Sequence, residues 1–203
     1  METLTKNELK ILDLFRKNIL LKSSIRNIMK RTNSKSYQRV YEAVGSLEKK
    51  QILYSEKIGN TNIISLKMSR NTFINFAFLD EQEKNKIPNA SKIIELKEIT
   101  DYLIIVTGSY AKGNASKKSD LDLVIIIPDK DDVVNTQKLV ENITMLLIPE
   151  IHLFVFRKKD FIDMLTDKKE NYGKEIFKNH IILKNAQTYY ELISEAIENG
   201  FKG

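Results

Sequence analysis

The period of the apolar positions changes along the chain, and each change marks an element. Leu9, Leu12 and Phe15 recur on one helical face, and Thr5 with Glu8 has the spacing of a capping box at its start. Ser23 or Ser24 can cap a second, short helix with Ile25, Ile28 and Met29 on its apolar side. Asn33 or Ser34 can cap a third, whose expected buried stripe is Tyr37, Val40, Tyr41, Val44 and Leu47. The period then shortens. In QILYSEKIGNTNIISLK two short β-rich runs flank Gly59-Asn60, a hairpin signal.

Residues 71–100 read as a connector with helices of its own. TFINFAFL is apolar enough to pack, DEQEKNKIPN ends in Pro88 near a boundary, and Ile93, Leu96 and Ile99 suggest an amphipathic helix. YLIIVTG, residues 102–108, is a buried strand that ends in glycine. SDLDLVIIIP follows as a second strand. A strand's side chains alternate, so Asp120 and Asp122 point to one side while Leu121 and Leu123 point to the other. A helix over about 131–146 leads to a third strand, EIHLFVF at 150–156, with Glu150 and His152 on one face. The last forty residues read as helices, with Gly200 as a C-terminal cap and His180 as a structural residue.

Charge divides the chain in a way the apolar pattern does not. Residues 1–70 hold 15 Lys/Arg and 6 Asp/Glu, a net +9, whereas residues 71–203 hold 18 and 21, a net −3. A basic first third suggests a module that faces a polyanion. There are no cysteines, which excludes disulfides and thiolate metal sites. No window has the roughly 18 apolar residues of a membrane span, and the polar N-terminus METLTKNELK is unlike a signal peptide. A cytoplasmic protein without a membrane partner is expected.

Two like charges on one face of a strand repel, so Asp120 and Asp122 call for compensation. A hard divalent cation supplies it: Mg²⁺ prefers carboxylate oxygens and is commonly shared with substrate phosphates. Gly108 allows a sharp turn and a close backbone approach, and Ser109 adds a hydroxyl where a helix can begin. Lys112, Lys117 and Lys118 add positive potential nearby. A phosphate cradle followed by a two-acid clamp outlines phosphoryl or nucleotidyl transfer.

Two resemblances sharpen this outline. Three helices followed by a hairpin, over roughly residues 3–68, resemble a winged helix-turn-helix domain. That likeness implies a third helix in the DNA major groove and a wing on the backbone, with Lys35, Ser36, Gln38, Arg39, Lys57 and Asn60 as the DNA-binding residues. GSYAKGNASKKSDLDL, within about residues 90–160, resembles the signature of the minimal nucleotidyltransferases of the DNA polymerase β-like superfamily. It implies Gly108, Ser109, Lys112 and Ser119 at the nucleotide, and Asp120 and Asp122 on two Mg²⁺ ions. The substrate would be an NTP, with ATP expected. Such enzymes carry a third carboxylate on a neighbouring strand. Here Glu150 is the natural acid, but the family spacing falls on His152; both are candidate catalytic residues, with Glu150 also a candidate metal ligand.

The expected fold is α+β: a winged helix at 1–70, a helical connector at 71–89, a nucleotidyltransferase core with a mixed sheet at 90–165, and C-terminal helices packed on the core at 166–203. The expected function is Mg²⁺-dependent transfer of a nucleoside monophosphate to a hydroxyl acceptor, coupled to binding of double-stranded DNA. The alternatives are a DNA-binding regulator whose degenerate transferase domain senses nucleotide, and an antitoxin-like partner of a small helical toxin. A homodimer and a small helical protein partner are the protein partners considered.

Overall fold

Thr5 caps the first helix, α1 (Lys6–Arg16), as its spacing with Glu8 predicts. Its hydroxyl accepts from the Glu8 N–H at 3.3 Å, and the Glu8 carboxylate accepts from the Thr5 N–H at 2.6 Å. Ile11, Leu12 and Phe15 bury the inner face. The structure, a computed structural model, describes residues 4–203. It divides into one compact unit ending at Phe76 and a second running from Ala77 to Gly203.

In the first unit α1 is followed by β1 (Lys22–Ser24), α2 (Ile25–Arg31), α3 (Tyr37–Lys49), β2 (Leu53–Ile58) and β3 (Thr61–Leu66). Ser24 caps α2. The cap of α3 is Ser36 rather than Asn33 or Ser34, because Asn33 adopts a left-handed conformation (φ 51°) in the turn between the helices. The buried stripe of α3 is Val40, Ala43, Val44 and Leu47, and Tyr37 and Tyr41 lie exposed on its flank. Both tyrosines satisfy helical periodicity, but the small Ala43 lets neighbouring helices approach on the other side. The hairpin turns at Gly59-Asn60 as expected, with Ile58 opposite Thr61. Three-residue β1, which the apolar pattern did not reveal, adds to β3 and makes an antiparallel sheet of order β1-β3-β2.

Helix α4 (Arg70–Glu83) contains the boundary between the units. The amphipathic helix expected over Ile93, Leu96 and Ile99 is broken: α5 (Ala90–Ile94) stops, Leu96 turns extended, and Lys97–Ile99 forms one 3-10 turn.

The second unit then builds β4 (Leu103–Val106), α6 (Gly108–Lys112), β5 (Leu121–Ile127), α7 (Val133–Thr144), β6 (Ile151–Arg157), α8 (Lys158–Thr166), α9 (Tyr172–Lys178), β7 (Ile181–Lys184) and α10 (Ala186–Glu198). The sheet order is β6-β5-β4-β7. β5 and β6 are parallel; the other pairs are antiparallel. β4 and β5 are buried throughout except at Asp122. Ile104, Val106, Leu121, Leu123, Ile125 and Ile127 share one core with Ile93, Val140 and Val155. Strands buried on both faces read as unbroken apolar runs. β7 corrects the all-helical expectation for the C-terminal segment. IILK is too short for a helical period, and it is held as an edge strand against β4. Gly200 (φ 100°) follows the last helix, where the Phe201 N–H donates to the Ala196 carbonyl at 2.9 Å.

Glu8 is the buried acid of the first unit. Burial alone would raise its pKa, but Lys50, 2.7 Å away, and the Thr5 N–H hold it down from the ordinary 4.5 to about 2. A depressed acid stabilises the fold above its unfolded pKa and loses that contribution as pH falls through the folded one. Glu8→Gln should therefore cost about 1–3 kcal/mol at pH 7. Urea titrations of both proteins should show the gap closing between about pH 4.5 and pH 2.

Candidate active site

The Gly108 turn and the paired acids meet because β4 and β5 run antiparallel. Val106 pairs with Leu123, so the end of β4 lies beside the start of β5. The Thr107 N–H donates to the Asp122 carbonyl at 3.0 Å and closes the ladder there. Gly108 follows with φ +63°, a conformation that disfavours any side chain. Its surroundings are equally restrictive: a Cβ at position 108 would sit 1.9 Å from Asp122 Oδ2. The backbone of the turn is packed directly on the carboxylate.

Helix α6 has only five residues, so its macrodipole is small. What the turn offers a ligand is its backbone N–H groups and the Ser109 hydroxyl. Lys112 pairs with Glu175 of α9 at 2.8 Å. Ser119 folds the approach to the strand: its hydroxyl accepts from the Ser116 N–H at 2.8 Å. Lys117 and Lys118 are exposed in the same turn.

Asp120 and Asp122 stand at the start of β5 with Leu121 and Leu123 buried behind them, the alternation read from the sequence. Asp120 remains 46% exposed and Asp122 29%. The parallel register places His152 directly beside Asp122 and Ile151 beside Leu121. His152 Nε2 is 3.7 Å from Asp120 Oδ2, and Nδ1 is 3.6 Å from Asp122 Oδ1. These distances exceed a hydrogen bond, so the ring faces both acids electrostatically without locking to either. Glu150 lies one residue before β6. Its carbonyl accepts from the Leu121 N–H at 2.8 Å, while its side chain is exposed and makes no hydrogen bond or ion pair. His180 sits apart from the acids, with Nδ1 3.0 Å from the Ile176 carbonyl and its ring 4.5 Å from Tyr189.

The donor set suits Mg²⁺ in part. Two adjacent carboxylates are hard oxygen ligands, and Mg²⁺ ordinarily completes its shell with water and substrate phosphates. Among the described residues no group of three or more His, Asp or Glu is arranged to hold a metal. The residues that could hold a cation here are Asp120 and Asp122, each ring nitrogen of His152 being turned to a different acid.

Tyr172, at the start of α9, escaped the sequence reading. Its hydroxyl shares a hydrogen bond with the buried Thr107 hydroxyl at 2.9 Å. Its ring packs on Phe154 and Phe156 of β6, with centroids 4.8 and 6.1 Å apart. Burial raises the Tyr172 pKa above the ordinary tyrosine value; the bond to Thr107 opposes the rise and the Asp122 and Glu175 charges add to it. Tyr172 and Glu175 thus tie α9 to both sides of the Gly108 turn. Only its lone position after a polar run marked Tyr172 in the sequence, and that carries no signal of a partner 65 residues away.

In the first unit the residues expected to touch DNA lie on α3 with its approach and on the β2–β3 hairpin. Lys35 and Ser36 precede α3, and the Ser36 hydroxyl accepts from the Arg39 N–H at 3.4 Å. Gln38 donates to Glu42 at 2.8 Å. Lys57 and Asn60 lie on the hairpin.

Residues 87–184, just under half of the chain, match the family model of a nucleotidyltransferase domain. No curated protein and no solved structure matches the chain.

Removing the Tyr172 hydroxyl leaves the buried Thr107 oxygen without its partner. Tyr172→Phe should destabilise the second unit by about 1–3 kcal/mol. The urea midpoint should fall while the slope of the transition stays constant.

Proposed function

We propose, from the nucleotidyltransferase domain in residues 87–184, that this chain transfers a nucleoside monophosphate from a nucleoside triphosphate to a hydroxyl acceptor. The observation that carries this reading is the packing of Gly108 on Asp122, which leaves no room for a Cβ and sets a sharp backbone turn against an acid pair. ATP is the proposed donor.

The N–H groups of the Gly108-Ser109 turn and the Ser109 hydroxyl would hold the β- and γ-phosphates. Asp120 and Asp122 would hold Mg²⁺, which neutralises phosphate charge and lowers the pKa of the acceptor hydroxyl. The acceptor oxygen forms a bond to the α-phosphorus as the α–β bridge breaks, and pyrophosphate leaves with the electron pair. The hydroxyl proton passes to a base at the strand mouth. We assign this role to His152, supported by its approach to within 3.7 Å of both acids, with exposed Glu150 as the alternative. Lys112 would exchange Glu175 for a phosphate oxygen when the nucleotide enters.

The first unit we propose to be a winged helix that holds a nucleic acid. Support comes from the order α1-β1-α2-α3-β2-β3, from the β2–β3 hairpin as wing, and from the +9 charge of residues 1–70. One observation favours a second reading, a regulator that senses nucleotide without turnover. His152 occupies the position beside Asp122 where a third carboxylate would complete a metal site.

Pyrophosphate release with Mg²⁺ and each NTP separates the two readings. Asp120→Asn and Asp122→Asn should each lower the rate at least about a hundredfold. Their thermal unfolding should stay close to wild type, because both side chains are partly exposed. Gly108→Ala should lose activity to a similar extent and also unfold at lower temperature. Calorimetric binding of NTP by the wild type without pyrophosphate release, across hydroxyl acceptors, would establish the sensor instead.

A further inference from the structure

The groove between α3 and the hairpin has a surface unlike that of a duplex-reading helix. Tyr37 and Tyr41 line it, 47% and 53% exposed. Their rings are nearly parallel, with centroids 6.4 Å apart and planes 21° apart. Together they present one aromatic surface to solvent. Lys57, Asn60 and Asn62 of the hairpin and Arg26 at the start of α2 also line it. The groove encloses about 780 Å³, a volume that admits a nucleotide.

We infer that this groove binds single-stranded nucleic acid, with unpaired bases stacked on Tyr37 and Tyr41 and the strand's phosphates facing Arg26 and Lys57. The inference rests on the reading of the first unit as a nucleic-acid module and specifies its ligand. Tyrosine offers a flat, rigid π-face that is stable at a wet surface, and every base offers a matching face. The lining includes two cations, Arg26 and Lys57, and two amides, Asn60 and Asn62, beside Ser24, Ile25 and Thr61; the cations and amides suit a sugar-phosphate chain, and the surrounding 70 residues carry +9.

A duplex would use this surface poorly. Its base faces are already stacked, and only edges are open in the major groove. The side chains on α3 that could read edges are directed elsewhere. The Gln38 amide is bonded to Glu42, and Arg39 with Glu42 lines a separate cavity beside Thr5 and Glu8 of α1. Glu42 also places a negative charge on the face expected to meet phosphates. The geometry therefore turns the expectation of double-stranded DNA toward a strand with free bases. DNA and RNA strands share the chemistry that this surface recognises.

The test is fluorescence anisotropy with the full chain and labelled mixed-sequence oligonucleotides of equal length: single-stranded DNA, single-stranded RNA and a blunt DNA duplex. Both single strands should bind at least tenfold more tightly than the duplex, and the better of the two identifies the sugar. Tyr37→Ala and Tyr41→Ala should each weaken single-strand binding roughly fivefold or more, with the salt slope unchanged. Tyr37→Phe and Tyr41→Phe should bind like wild type, since the ring is retained. Lys57→Ala should reduce the salt slope by about 0.7. All three positions changed are exposed, and thermal unfolding checks that each of the five variants is folded. Preference for the duplex, or single-strand binding that survives both alanine variants, would overturn the stacking groove while leaving a nucleic-acid module in place. No binding of any oligonucleotide would overturn both. Nucleotidyl transfer, measured separately, bears on neither.

Discussion

The contact between the Gly108 backbone and the Asp122 carboxylate is the constraint on which the candidate site depends. It is possible because β4 and β5 pair antiparallel from Val106 and Leu123 onward, with the Thr107 N–H on the Asp122 carbonyl as the last rung. The rung brings the chain ends together, and the missing Cβ lets them touch. The apolar runs on either side supply the force. Both strands are buried along their length, so the acids lie at the one place where β4 and β5 open to water. A pair of carboxylates in the middle of β5 would have no solvent to share its charge with.

Sequence made this part of the molecule legible because it is local. GSYAKGNASKKSDLDL carries a turn, a spacing and an alternation within one segment, and the structure realises each of them. Thr5 and Glu8 were readable for the same reason: a capping box needs only three residues of separation. What escaped is non-local. β1 and β7 are three and four residues long and become strands only because β3 and β4 offer open edges. Tyr172 reaches Thr107 through the path of α8 and α9, which no periodicity describes.

The misassigned tyrosines of α3 show a different limit. Tyr37 and Tyr41 have the spacing of core residues, and hydrophobic periodicity cannot separate a large aromatic that packs from one that faces water. Small Ala43, whose single methyl gives a much weaker signal than a large apolar side chain, takes the buried place instead. Amphipathic residues are where a two-letter apolar alphabet fails, because tyrosine is at ease in either setting.

The parallel pairing of β5 and β6 has a consequence for how the site can change over time. His152 faces the acids by count alone: it is the residue that the register sets beside Asp122. A substitution there can exchange imidazole for carboxylate or amide with the strand undisturbed, since the side chain is 56% exposed. A change of length inside β6 is another matter. One residue gained or lost would turn Ile151 or Leu153 toward the acids and press His152 into the hydrophobic core. The site is therefore open to change by replacement and closed to insertion within the strand, and its chemistry can drift while its frame stays fixed.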